Sequence, residues 1–250
     1  MTRAGIAVVL VLCAGAGAGC AGGSSDDLHV AAAASLRSAF THYSHSLQGV
    51  STSLEFAGSD AIAAQIEQGV RPDVFASADT RFPQLLYAKG LVERPVVFAA
   101  NKLVLAVQRG SKIASLADVE RPGTRIATGT ANVPVGSYTA AALARLPASQ
   151  RRAVLANVRD REPDVEGIVG KLSAGAVDAG FLYATDVMAA GGRIRAIALP
   201  ASLRPVVSYG VAVVRRSPHR AEAGAFVAGL LHGSGRSALL TAGFLPPRAG

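Results

Sequence analysis

Cysteine is almost missing from this chain. The two that occur, Cys13 and Cys20, both lie in an apolar leader. Beyond the leader there is therefore no material for a disulfide, a cysteine metal site or a thiol nucleophile. Tryptophan is absent and aromatic residues make up only 5%. The 25 Lys and Arg residues are scattered along the chain. A nucleic-acid surface would need them gathered, with aromatics among them. The formal charge of +8 is read instead as a solvated surface that mildly attracts anions. After residue 20 no apolar run is long enough to cross a bilayer.

What is present begins with an export signal. Met1-Thr2-Arg3 is a short positive segment, residues 6–12 are apolar, and residues 14–19 are all Ala and Gly. That is the layout of a cleaved leader over residues 1–20, too short for a comfortable membrane span. Small residues before a cysteine also match a bacterial lipobox, in which Cys20 carries the lipid and becomes the first mature residue. Gly17 departs from that pattern, where a large apolar residue is usual, and ordinary cleavage nearby is the alternative. Residues 21–27 read as a flexible Gly/Ser/Asp tether. The expectation is an exported chain, periplasmic or held on the outer face of the cell membrane, touching the membrane only through a lipid anchor.

From residue 28 the pattern alternates between strand and helix, punctuated by Gly, Pro and Asp. Residues 28–40 read as strand, tight turn at Ser35 and helix start; further strands are expected at 53–57, 73–77, 125–128, 179–183 and 194–199 with a short one at 157–158, and helices at 61–68, 82–89, 138–146, 163–172 and 221–231. Such alternation implies βαβ units and a mainly parallel sheet, an α/β fold. Two apolar segments, 101–107 and 205–214, resemble each other and read as paired crossings between two Rossmann-like lobes. Residues 28–103 and 208–250 would form lobe I and residues 104–207 lobe II, with a ligand cleft between them.

Four places share one design. Ala34-Ser35-Leu36, Gly58-Ser59-Asp60, Pro134-Val135-Gly136 and Asp164-Val165-Glu166 each stand where a helix begins. First-turn amides have no intrahelical partner and attract anions, and open α/β sheets bind ligands at the carboxyl ends of their strands. Tyr183, at a strand end, adds a phenolic donor. Taken singly, each has a plainer explanation: serines cap helices, glycines serve turns, and a buried tyrosine finds a structural partner. An enzyme is the competing class, with Ser35 or Ser59 as nucleophile and His29, His42 or His45 as base. No Gly-x-Ser-x-Gly elbow supports it.

The residues also carry a resemblance. Ala32-Ala33-Ala34-Ser35-Leu36, Phe56-Ala57-Gly58-Ser59 followed by Gln65-Ile66-Glu67 and Gly69, Pro72-Asp73-Val74-Phe75-Ala76-Ser77-Ala78-Asp79, Asn101-Lys102-Leu103-Val104, Val133-Pro134-Val135-Gly136-Ser137-Tyr138, Asp164-Val165-Glu166-Gly167 and Gly180-Phe181-Leu182-Tyr183-Ala184-Thr185-Asp186 make the chain, from about residue 29 to 244, similar to the molybdate-binding proteins of bacterial ABC transporters. The resemblance implies a class II periplasmic-binding-protein fold and a non-enzymatic monomer. It would need no cofactor, would hold molybdate or tungstate and would pass it to an ABC permease. It implies Ser35 and Ser59 as hydroxyl and amide donors, Val135 and Val165 as amide donors, and Tyr183 as a hydroxyl donor, with no metal ligand. Asp60 departs from the family's small hydroxyl residue and is expected to point outward. Val135 departs from a common alanine and is expected to reshape the cleft. Sulfate, phosphate or an organic anion is the alternative ligand.

Overall fold

The computed structural model describes residues 27–247. The leader, Cys20 and tether residues 21–26 lie outside the described residues.

Two five-stranded sheets organise the chain. The first runs β2-β1-β3-β10-β4, built from β1 (Leu28–Ala33), β2 (Thr52–Ala57), β3 (Val74–Ser77), β4 (Val96–Asn101) and β10 (Val207–Val213). β1 pairs in parallel with β2 and β3, and β10 lies antiparallel between β3 and β4. The second sheet runs β7-β6-β8-β5-β9, from β5 (Leu103–Gln108), β6 (Ile126–Gly129), β7 (Val158–Glu162), β8 (Ala179–Tyr183) and β9 (Ile194–Ala198). Again the first strand of the unit is central, its successors flank it in parallel, and a crossing strand runs antiparallel beside them. The lobes thus repeat one plan that the sequence does not repeat. In each, the chain leaves the central strand in opposite directions, which opens a crevice at the carboxyl ends of β1 and β6.

The sheets exchange strands at Lys102. Asn101 pairs with Val207 in the first sheet, and Leu103 pairs with Tyr183 in the second. The segment expected as one crossing at 101–107 is therefore two strands joined at a single residue. The return crossing spans 204–206, before β10.

Helices pack on the sheets: α1 (Arg37–His45), α2 (Ser59–Glu67), α3 (Arg81–Ala88), α8 (Arg220–His232) and α9 (Ser234–Thr241) in lobe I. Lobe II carries α4 (Pro134–Leu143), α5 (Ala148–Ala156), α6 (Val165–Ser173) and α7 (Ala184–Ala189). In lobe I the core is aromatic where α1 meets α8. Phe40 and Phe226 meet edge to face with centroids 5.5 Å apart, and the Tyr43 hydroxyl donates to the Phe226 carbonyl at 3.0 Å. Burial of each such ring stabilises the lobe by roughly 2–3 kcal/mol, which fixes the start of α1 and the turn before it. No described helix is long and apolar enough to cross a membrane.

Candidate functional site

The turn after β1 is a short 3₁₀ segment, Ala34–Leu36, that buries Ser35. α2 starts two residues earlier than the hydrophobic pattern predicts. Gly58 is its N-cap and Ser59 its first residue, which places the Ser59 amide among the unpartnered donors of a helix start. α4 opens with Pro134 after Val133, so Val135 stands in its first turn. α6 opens at Val165 after Asp164, whose side chain accepts the Gly167 amide at 3.1 Å. Ser35, Ser59, Val135 and Val165 all line one small cavity between the lobes. Its walls contain no Lys, Arg or His, and among the described residues no cluster of His, Cys, Asp and Glu could hold a metal ion.

Both serines have hydrogen-bond partners within lobe I. The Ala78 amide donates to Ser59 Oγ at 3.0 Å. That amide is presented by the turn after β3, where the Ser77 hydroxyl and the Phe82 amide both bond to the Asp79 carboxylate. For Ser35, the partner is the Tyr209 hydroxyl at 2.9 Å. Tyr209 also meets Asn101 Nδ2 at 3.3 Å. The Asn101 amide is oriented by the Lys102 amide, which donates to Oδ1 at 2.8 Å, so Nδ2 must be the donor toward Tyr209. The phenol oxygen then accepts from Asn101, and it shares a hydrogen bond with Ser35 Oγ in which either hydroxyl can donate. The Ser59 oxygen is thus engaged as an acceptor, and its proton is left for a guest. Tyr209 escapes the sequence reading, and Asn101 enters it only within the stretch Asn101-Lys102-Leu103-Val104 that carries the resemblance, because they act on Ser35 from 174 and 66 residues away.

Tyr183 does not line this cavity. It ends β8 fully buried, its ring 5.8 Å from that of Tyr209 and 6.5 Å from that of Tyr138. Its hydroxyl is buried without a hydrogen-bond partner among the described residues. Burial holds the Tyr183 and Tyr209 phenols far above their usual range, and Tyr138 is pushed up to about 12. All three are protonated donors at neutral pH. The Tyr183 amide donates to the Asp186 carboxyl at 2.9 Å. Burial pushes that carboxyl up to about 7, against the pull of this hydrogen bond and with help from nearby Glu166 and Asp164. Asp186 and Ser35 both line a larger neighbouring cavity of about 490 Å³.

Two glycines allow the close approach. A Cβ on Gly58 would meet the Pro163 carbonyl of the other lobe at 2.6 Å, and one on Gly136 would meet the Thr130 carbonyl at 1.9 Å. Asp60, half-buried, is not among the cavity's lining residues, whereas the Val135 side chain is buried. Two arginines of lobe I reach across the cleft. Arg37 forms a bidentate pair with Glu166 of α6, its Nη2 3.0 Å from Oε2, and Arg81 Nη2 donates to the Asn132 carbonyl at 2.6 Å.

The hydrolase alternative finds no base here. His42 and His45 are exposed on α1, and His29 sits at the far end of β1 beside Glu55, 3.3 Å away.

Comparison with known proteins agrees with this architecture. The molybdate-binding protein ModA of Mycobacterium tuberculosis is 34% identical over 225 residues, covering 87% of this chain and 84% of that protein. The structure of the substrate-binding domain of a putative molybdenum ABC transporter from Clostridium difficile superposes with a TM-score of 0.67 at 25% identity, covering 89% of this chain and 99% of that one. The Azotobacter vinelandii periplasmic molybdate-binding protein gives a TM-score of 0.79 at 18% identity, over 89% and 100% of the two chains, and so shares the fold. The bacterial extracellular solute-binding protein family matches residues 28–245, and the chain belongs to that family.

Proposed function

We propose that the protein captures molybdate or tungstate outside the cytoplasm and delivers it to an ABC permease, and that it catalyses no reaction. The observation that carries this reading is the cavity where four helix starts converge, with the Ser59 proton uncommitted and no cationic side chain in its wall. A dianion taken from water needs compensation. Charge-assisted hydrogen bonds contribute about 1.5–3 kcal/mol each. About seven of them give roughly 10–20 kcal/mol before desolvation and closure costs. That is compatible with dissociation constants from micromolar to nanomolar.

Ser35, Ser59, Val135 and Val165 are the donors from the cavity wall. Tyr183 is the fifth: its hydroxyl lacks a partner, and an oxyanion oxygen supplies one once side chains near Tyr209 adjust. Closure about the crossings at Lys102 and 204–206 brings the lobes' donors together. Cys20 is the proposed lipid attachment point, which would keep the protein at the outer face of the membrane.

The test is calorimetric titration with molybdate, tungstate and sulfate. Molybdate and tungstate should bind with similar affinity and one-to-one stoichiometry, and the smaller sulfate more weakly. Ser35→Ala and Ser59→Ala should each weaken molybdate binding at least tenfold. Unchanged affinity in both variants refutes the site, and preference for sulfate refutes the ligand.

A further inference from the structure

We infer that the base of lobe I is a seat for an anionic membrane surface. At the end of the first sheet opposite the serines lies a groove of about 990 Å³. It is walled by the C-terminal ends of α2 and α3, the chain leading into β4, and the chain leaving β10. It gathers Arg71, Lys89, Arg94, Arg215, Arg216 and Arg220 against two carboxylates, Glu67 and Glu93. Both carboxylates are already engaged, Glu67 by Lys89 at 2.7 Å and Glu93 by Arg220 at 2.5 Å. Arg71, Arg94 and Arg216 are exposed, and none of them pairs with a carboxylate among the described residues.

Two further features separate this groove from a generally basic surface. Arg216 has a φ of 65°, and among the described residues no other non-glycine residue has a positive φ. A long side chain is kept in a conformation that glycine would adopt at no steric cost. Val70 and Tyr87, 45% and 40% exposed, stand in the same groove. Cations beside an exposed aromatic and an apolar side chain suit a layer of phosphate headgroups over acyl chains. A dissolved anion would gain nothing from the apolar part.

The path of the chain points the same way. Val30 of β1 pairs with Val74 of β3, and the Asp73 amide donates to the His29 carbonyl at 2.7 Å. Residue 27 therefore enters lobe I at the groove's end of the sheet, close to Arg71. Seven residues separate Cys20 from Leu28, eight Cα steps that reach at most about 28 Å. A lipid on Cys20 would hold this end nearest the bilayer, but the attraction itself does not require acylation, and it stands apart from the ligand assignment.

The test uses the leader-free chain from residue 20 with Cys20→Ala, so that neither the apolar leader nor an acyl chain contributes. It is sedimented with vesicles of phosphatidylcholine alone and of phosphatidylcholine with phosphatidylglycerol. Retention is expected only on the anionic vesicles, falling as salt rises. Each arginine near such a surface contributes roughly a factor of five. R71Q/R94Q/R216N should therefore lower retention at least tenfold, with asparagine tolerating the left-handed backbone at 216. R152Q/R159Q/R161Q removes the same charge from lobe II and should change retention by less than twofold. Thermal melting checks each fold, and R71Q/R94Q replaces the triple variant if that unfolds. Equal losses in the two triple variants, retention on phosphatidylcholine alone, or full release by inorganic phosphate at matched ionic strength would overturn the proposal. So would dimerisation through the groove in place of vesicle binding.

Discussion

The pair between Arg37 and Glu166 joins α1 of lobe I to α6 of lobe II, so it exists only while the lobes are together. Both side chains are about half exposed, 52% and 47%, and an exposed ion pair is usually worth 0.2–1 kcal/mol. Two features place this one at the upper end. The contact is bidentate, and the guanidinium already lies over the Phe56 ring, 4.5 Å from its centroid, so little side-chain freedom remains to be lost on closing. The hydrogen bond to Glu166 is also the main reason the Arg37 guanidinium titrates above its usual range. A contribution of about 1 kcal/mol corresponds to roughly a fivefold change in affinity. In the proposed closure the pair forms after the anion has met one lobe, and the loss should then fall on the dissociation rate. Glu166→Gln alone is ambiguous, since it also removes a negative charge near the proposed dianion. The assay is therefore a double-mutant cycle of Arg37→Gln and Glu166→Gln, with stopped-flow dissociation of molybdate at low and high salt. A coupling near 1 kcal/mol that shrinks with salt is expected. Zero coupling, or coupling confined to the association rate, would refute a latch that acts on the closed form.

Three other substitutions probe the site. Val165→Ala should leave affinity nearly unchanged, whereas Val165→Pro should weaken it at least tenfold; proline fits the first position of α6, so only the N–H is lost, and equal behaviour in calorimetry would eliminate an amide donor there. Tyr183→Phe removes a buried hydroxyl that lacks a partner, so the ligand-free protein should gain about 1–3 kcal/mol in denaturant unfolding while molybdate binding weakens; lower stability would mean the hydroxyl is already paired. Asp186 titrates near 7 when folded, against 3.8 ordinarily. The folded state therefore holds the proton more tightly, and its stability should fall as pH rises from about 4 to 7 and then level off. The full effect is on the order of 4 kcal/mol. In Asp186→Asn, unfolding midpoints at pH 5 and pH 8 should lie closer together, and an unaltered difference would assign the pH dependence elsewhere.

Much of this arrangement is legible in the sequence because it is local. A strand, a tight turn and a helix start are written in consecutive residues, so Ser35, Ser59, Val135 and Val165 could be placed at four helix starts without knowing what they face. The elements that escaped are those with weak local signals. β7 is Val-Arg-Asp-Arg-Glu, an edge strand of which only the start at Val158 is expected, because its polar side chains hide the rest. α7 has six residues, too few for a periodic pattern, and its start is marked by the Asp186 side chain taking the Tyr183 amide. β4 merges in sequence with β5, and only sheet pairing reveals the break at Lys102. The position of Tyr183 behind Tyr209, and the dependence of Ser35 on Asn101, come from contacts between distant segments that no spacing rule encodes.

Asn101 occupies the residue just before the chain passes from one sheet to the other. Its single amide nitrogen serves Thr185 of lobe II at 2.9 Å as well as Tyr209 of lobe I. In the proposed closure this point is consequently wired to the pocket: a rotation there would shift the Tyr209 hydroxyl, and with it the hydrogen bond to Ser35. Posture and grip are parts of one relay, so an alteration at the elbow of the molecule would register as a change in how firmly it holds its cargo.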